Sequence, residues 1–173
     1  MDTIITFIVL CQAFGAFVGA GTTIWGEFAY LRAMRDGTMD AAERAHLRII
    51  AHGLRFGMTL LLLSSFALVV VAYVLHAQRQ PAVTPDYWAL MLIALVVIAV
   101  SWALSRKKIS FALGSAIAFT AWWFLAYLTI GWVPGLSLGA VAGFFVVATA
   151  IFYAILSYAR MLTRPPHRAA PPN

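Results

Sequence analysis

The sequence predicts an all-α, polytopic membrane protein with five transmembrane helices, its N-terminus outside and its C-terminus inside. Three observations predict it. Of 173 residues, 63% are hydrophobic and 10% charged, against about 45–50% apolar and about 25% charged in a soluble domain. The apolar residues fall into five runs, each long enough to cross a hydrocarbon core of about 30 Å as a helix. The basic residues cluster in alternate connections between those runs, the pattern of topology signals.

The first span covers 4–26. Met1-Asp2 offers no basic leader, and the apolar run passes through any small-residue cleavage point, so the segment is expected to stay as a membrane helix. Gly15 and Gly19 are spaced for close helix packing. The helix is expected to continue to about Asp36, with Gly37 as a left-handed stop. Asp40 and Glu43 read as an N-cap with an acidic residue three positions later, which starts a second helix. That helix runs through Arg55, and its portion over 56–75 suffices to cross the membrane. The stretch 27–55, with five arginines and two histidines, therefore reads as a cytoplasmic helical hairpin.

Pro81 and Pro85 break the chain in a short polar loop. The third span, 87–105, is entered by Tyr87 and Trp88, residue types that favour the interface. Arg106-Lys107-Lys108 forms a basic turn. The fourth span, 109–130, carries Trp122, Trp123 and Tyr127, read as an interfacial belt in preference to a ligand site. An uncharged loop around Pro134 leads to the fifth span, 138–162, where Gly135, Gly139 and Gly143 recur every fourth residue and predict a face packed on another helix. Residues 1–162 thus read as one helical bundle, and the proline-rich tail 163–173 as disordered.

Loop one holds Arg32, Arg35, Arg44, Arg48 and Arg55, and loop three holds Arg106, Lys107 and Lys108. Arg164 and Arg168 lie in the tail, with Arg160 just before it. Loop two has only Arg79 and loop four has none. The positive-inside rule places loops one and three and the tail in the cytoplasm of a multi-pass inner-membrane protein. This distribution points to anionic lipid as a partner and not to nucleic acid.

Glu27 is the acid of greatest interest. Folding the hairpin about Gly37 sets it opposite Arg48, His52 and Arg55, which share a helix face at i, i+4, i+7. Such a cluster is either a proton or anion relay, and hence a small transporter or channel, or a salt bridge pinning two helices. Functional carboxylates tend to lie deeper in the bilayer, which favours the salt bridge. His52 and His76 lie about 36 Å apart on one helix, too far to share a haem. The lone Cys11 forms no disulfide within the chain. Lys107 and Lys108 lie in a loop and exclude a mid-membrane Schiff base. We expect no catalytic residue, no metal and no cofactor. The residues at membrane depth, Gln12, Thr22, Thr23, Thr59, Ser64, Ser65, Ser101, Thr120 and Thr149, are polar and uncharged.

The run GAGTTIWGEFAYLRAMRDG (19–37) followed by AERAHLRIIAHGLRFGMTLLLLSSF (42–66) resembles the copper-resistance protein D family of bacterial inner-membrane proteins and its relatives. The resemblance covers the first two spans. It implies a glycine-rich helix, a short cytoplasmic turn and a second helix. The family's metal role implies histidine or methionine within the membrane. The first span has neither, so copper does not carry over. The expected function is non-catalytic: helix packing with a second copy of the chain or with a partner membrane subunit. A redox subunit binding haem or quinone is the remaining alternative.

Overall fold

The computed structural model describes residues 2–36, 41–76, 80–131 and 137–163. These residues are all helical apart from short turns. The helices are α1 (Asp2–Asp36), α2 (Ala41–Val74), α3 (Pro85–Ser105), α4 (Phe111–Thr129) and α5 (Leu138–Thr163), with a 3-10 turn at Pro81–Val83. Each of the five is long and apolar enough to cross a membrane. The expected stop at Gly37, the cap at Asp40, Gly135 and the tail beyond Thr163 lie outside the described residues.

The helices pack as an antiparallel series in the spatial order α2, α1, α4, α3, with α5 laid mainly on α4. Side-chain levels fix the directions. Gly26 lies beside Ile50 and Gly15 beside Leu61, so α1 and α2 run opposite ways. Tyr30 meets Phe111 and Gly19 meets Trp122, which sets α4 antiparallel to α1. Phe119 packs on Phe152, and Phe124 on Phe144 and Phe145, which sets α5 antiparallel to α4. The inter-helix turn Arg106–Ser110, the last turns of α1 and α5 and the first turn of α2 therefore share one end of the bundle, here the basic end.

Backbone proximity holds α1 to α2. A Cβ on Gly57 would come within 2.7 Å of the Gly15 carbonyl oxygen, and one on Gly15 within 2.8 Å of the Gly57 carbonyl oxygen. Only hydrogen at these positions lets two helices approach so closely, which maximises dispersion contacts where lipid removes the hydrophobic drive. Gln12 Nε2 donates to Ser65 Oγ at 2.7 Å across the same interface, both residues being buried. Ser65 Oγ in turn donates to the Leu61 carbonyl.

The core lies between α1, α2, α3 and α4, around Ala16, Ala20, Leu61, Ile93, Val97, Ala121, Trp122 and Leu125. Trp122 corrects the expected belt: its side chain is 1% exposed, and its ring fills the space a Cβ on Gly19 would need. Successive helical residues are turned by about 100°, so Trp122 can face the core while Trp123 beside it points elsewhere. At the far end of the bundle Thr84 caps α3 by accepting from the Tyr87 amide, with Pro85 in the first turn. Trp88 Nε1 donates to the Ala82 carbonyl at 2.9 Å, and Gln80 Nε2 to the Ala72 carbonyl at 3.1 Å.

Candidate functional site

Among the described residues, two charged side chains lie inside the bundle at its basic end. Glu27 is on α1 and Arg160 in the last turns of α5, and both are buried. Arg160 Nη2 donates to Glu27 Oε2 at 2.7 Å and to Ser115 Oγ, on α4, at 2.6 Å. The guanidinium also lies 5.2 Å from the Tyr30 ring centre and 5.4 Å from that of Phe111. Those two rings are themselves 4.3 Å apart. Three helices thus meet on one guanidinium, which is charge-paired, hydrogen-bonded and covered by aromatic faces. Arginine suits the place because its planar group can donate in its plane and stack on rings at once.

The partner of Glu27 differs from the one expected. Arg48, His52 and Arg55 are all exposed, and His52 Nδ1 lies 2.7 Å from the Arg48 carbonyl oxygen of its own helix. Among the described residues the ion pair made by Glu27 is with Arg160. The reason is rotational. Gly15, Gly19, Thr22 and Gly26 form the stripe of α1 that reaches toward α2, as the contacts of Gly15 with Gly57, Thr22 with Gly53 and Gly26 with Ile50 show. Glu27 belongs to a neighbouring stripe with Ala16 and Ala20, which are 0% and 1% exposed. The level of Glu27 is close to that of Arg48, with Arg55 further along α2, but the carboxylate is turned toward α4 and α5.

Of the packing glycines, Gly15 lies against Gly57 and Leu61 of α2 and Gly19 against Gly57 and the Trp122 ring, and Gly57 joins them unforeseen. Gly139 and Gly143 do not meet another helix among the described residues, since a Cβ at either would find nothing within 4 Å. The fifth helix carries its packing residues on the side that holds Phe145, Ala148 and Phe152 against α4, while the glycines lie on the open side.

An apolar groove of about 420 Å³ runs between α4 and α5, with Trp123, Phe124, Tyr127, Phe144 and Phe152 among its walls. Thr120, its buried polar member, donates to the Ala116 carbonyl at 2.8 Å. The groove offers flat aromatic faces and no charge. Sequence reasoning placed Trp123 and Tyr127 in a belt, and the Phe residues of α5 that complete the groove carried no signal of their own.

The Arg160 cluster was readable in principle. Arg160 is flanked by Tyr158-Ala159 and Met161-Leu162, and Glu27 is followed by Phe28-Ala29-Tyr30-Leu31. Single charges of opposite sign, each embedded in apolar sequence at the same end of two spans, are the pattern of a pair that must find itself. Set beside known proteins, the chain matches no family model, no curated sequence and no solved structure, and its site is read from its own chemistry.

Proposed function

We propose that the protein is a non-catalytic, multi-pass protein of the inner membrane that works by lateral helix packing, with a second copy of the chain seated on α5. The observation that carries this reading is the open face of α5. Gly139, Gly143, Ala150 and Ala154 are exposed and fall within about 60° of one another around the helix. Such a face lets a helix approach closely. It carries no charge and asks for no complementary polar partner, so a copy of itself is a sufficient occupant. The Glu27–Arg160–Ser115 clamp holds the far end of α5 to the bundle and would fix the direction of this face.

In the same reading the basic end lies in the cytoplasm, with the N-terminus outside. Arg32, Arg48, Arg55, Arg106, Lys107 and Lys108 all sit at that end, as the positive-inside rule requires. A transporter reading has less support, because the carboxylate it would use is engaged by Arg160 and the exposed Arg48, His52 and Arg55 do not surround it. The aromatic groove favours a second reading, in which an apolar ring of the quinone class lies between α4 and α5. Organic extraction of the purified protein followed by an ultraviolet spectrum tests that alternative.

The assembly reading is tested by counting subunits in lipid nanodiscs or by light scattering in mild detergent. The parent chain is expected to be dimeric, and Gly143→Leu and Ala150→Leu to be monomeric with unchanged helix content. A parent chain that is monomeric at every concentration, or a dimer indifferent to both substitutions, overturns it. A monomer that copurifies with a second membrane protein moves the face to a partner subunit.

A further inference from the structure

We propose that Trp102, Arg106 and Lys108 form a headgroup site for one anionic phospholipid, whose acyl chain lies along the outer face of α3. The argument starts from how α3 ends. The Lys107 amide donates to the Leu104 carbonyl at 3.0 Å and the Lys108 amide to the Ala103 carbonyl at 2.9 Å. Lys107 between them has φ of 54°. This is a Schellman turn, and the left-handed position in it is usually glycine. A lysine there is strained where glycine would not be.

The turn does bring cations together. It folds the chain back so that Lys108 Nζ lies 4.6 Å from the centre of the Trp102 ring, while the Arg106 guanidinium lies 5.6 Å from the same centre. All three side chains are exposed. The α3 C-terminus attracts cations in any case, and so does the cytoplasmic interface. The indole face attracts each cation, but two like charges gathered on one ring repel each other. A phosphate shared by the two cations removes that repulsion.

The surface beneath supplies the rest of a lipid. Leu92, Leu95, Ile98 and Trp102 are exposed on one side of α3, while Leu90, Ile93, Ala94 and Val97 face the core. From Leu92 to Trp102 the helix rises about 15 Å, half of a hydrocarbon core of about 30 Å. An acyl chain of one leaflet therefore ends where the strip ends. Trp102 then lies at the interface, where indole is favoured, and the two cations one turn further out, at phosphate depth.

The test is native mass spectrometry of the intact chain in detergent, titrated with phosphatidylglycerol and, separately, phosphatidylcholine. Phosphatidylglycerol is expected to be retained preferentially. Arg106→Gln with Lys108→Gln should weaken it about 25-fold, at about fivefold per cation. Trp102→Leu, which changes no charge, should weaken it about threefold to fivefold by unseating the cations. Removing as much charge elsewhere, by Arg48→Gln with Arg55→Gln, should change it at most about threefold, since those charges act only through a screened field. Millimolar inorganic phosphate should not displace the lipid. Equal retention of phosphatidylcholine, equal losses in the two charge-removing pairs, or an unaffected Trp102→Leu chain overturns the proposal. Displacement by inorganic phosphate overturns it in another way, by making the turn a free-anion site. Unchanged elution of each variant on gel filtration establishes that it is folded.

Discussion

Removing the carboxylate at Glu27 is expected to release α5 from the bundle. In Glu27→Gln the shape is nearly kept, but Arg160 retains its charge inside an apolar, aromatic enclosure. At an effective dielectric of about 20, opposite unit charges about 4 Å apart attract by about 4 kcal/mol. Desolvation of both groups offsets much of this in the intact pair. Loss of one partner leaves the other's desolvation uncompensated, which costs about 3 kcal/mol. For a chain of this size that corresponds to a fall of about 6–12 °C in the thermal midpoint. Arg160→Leu should cost a similar amount, because it strands Glu27 instead. Ser115→Ala removes a hydrogen bond to the charged guanidinium and should cost about 2 kcal/mol. The double variant Glu27→Leu with Arg160→Leu carries no buried charge and should be more stable than the sum of the single losses predicts. The assay is a thermal melt in detergent, followed by the near-ultraviolet signal of the tryptophans. Single variants that melt with the parent, or a double variant whose loss is the sum of its parts, would refute a structural ion pair.

Four further outcomes follow from the packing and the charge distribution. Gly57→Val should prevent a stable α1–α2 pair, since its Cβ would stand 2.7 Å from the Gly15 carbonyl oxygen, whereas Gly139→Leu should leave the melting of the monomeric chain unchanged; both are read by thermal melts after gel filtration. Gln12→Leu deletes the hydrogen bond to Ser65 but keeps the volume, and should cost only about 0.6 kcal/mol, the usual worth of such a bond between membrane helices; a loss several times larger in the same melt would mean that the pair organises more than itself. In a chain whose Cys11 is replaced by alanine, a cysteine at Gln80 should react with an impermeant maleimide added outside intact cells, and one at Lys107 should react only after the membrane is opened.

What the sequence made legible, and what it did not, divides along one physical line. Length and apolar content determine whether a segment crosses a bilayer, and both are sums over residues, so five spanning helices could be read without knowing which way any of them faces. The proline at position 85 and the turn after Ser105 mark ends that depend on local backbone chemistry alone. Rotation about the helix axis is different, because nearly every residue of these spans is apolar and no amphipathic stripe reports which side meets protein. Three expectations failed on that point: Glu27 turned toward Arg160, Trp122 toward the core, and Gly139 and Gly143 away from it. For Glu27 the level along the helix was near that of Arg48 and only the azimuth differed, whereas Trp122 lies against Gly19 in the middle of α1 and not at an interface. The charged residues are the exceptions that carry azimuthal information, since a buried charge must be met by its opposite. Glu27 and Arg160 therefore orient α1 and α5 on α4 in a way that the surrounding alanines, leucines and phenylalanines do not. By the same logic the open glycines of α5 became visible as a surface only once this pair and the Phe119–Phe152 contact had settled which side of the helix was already occupied.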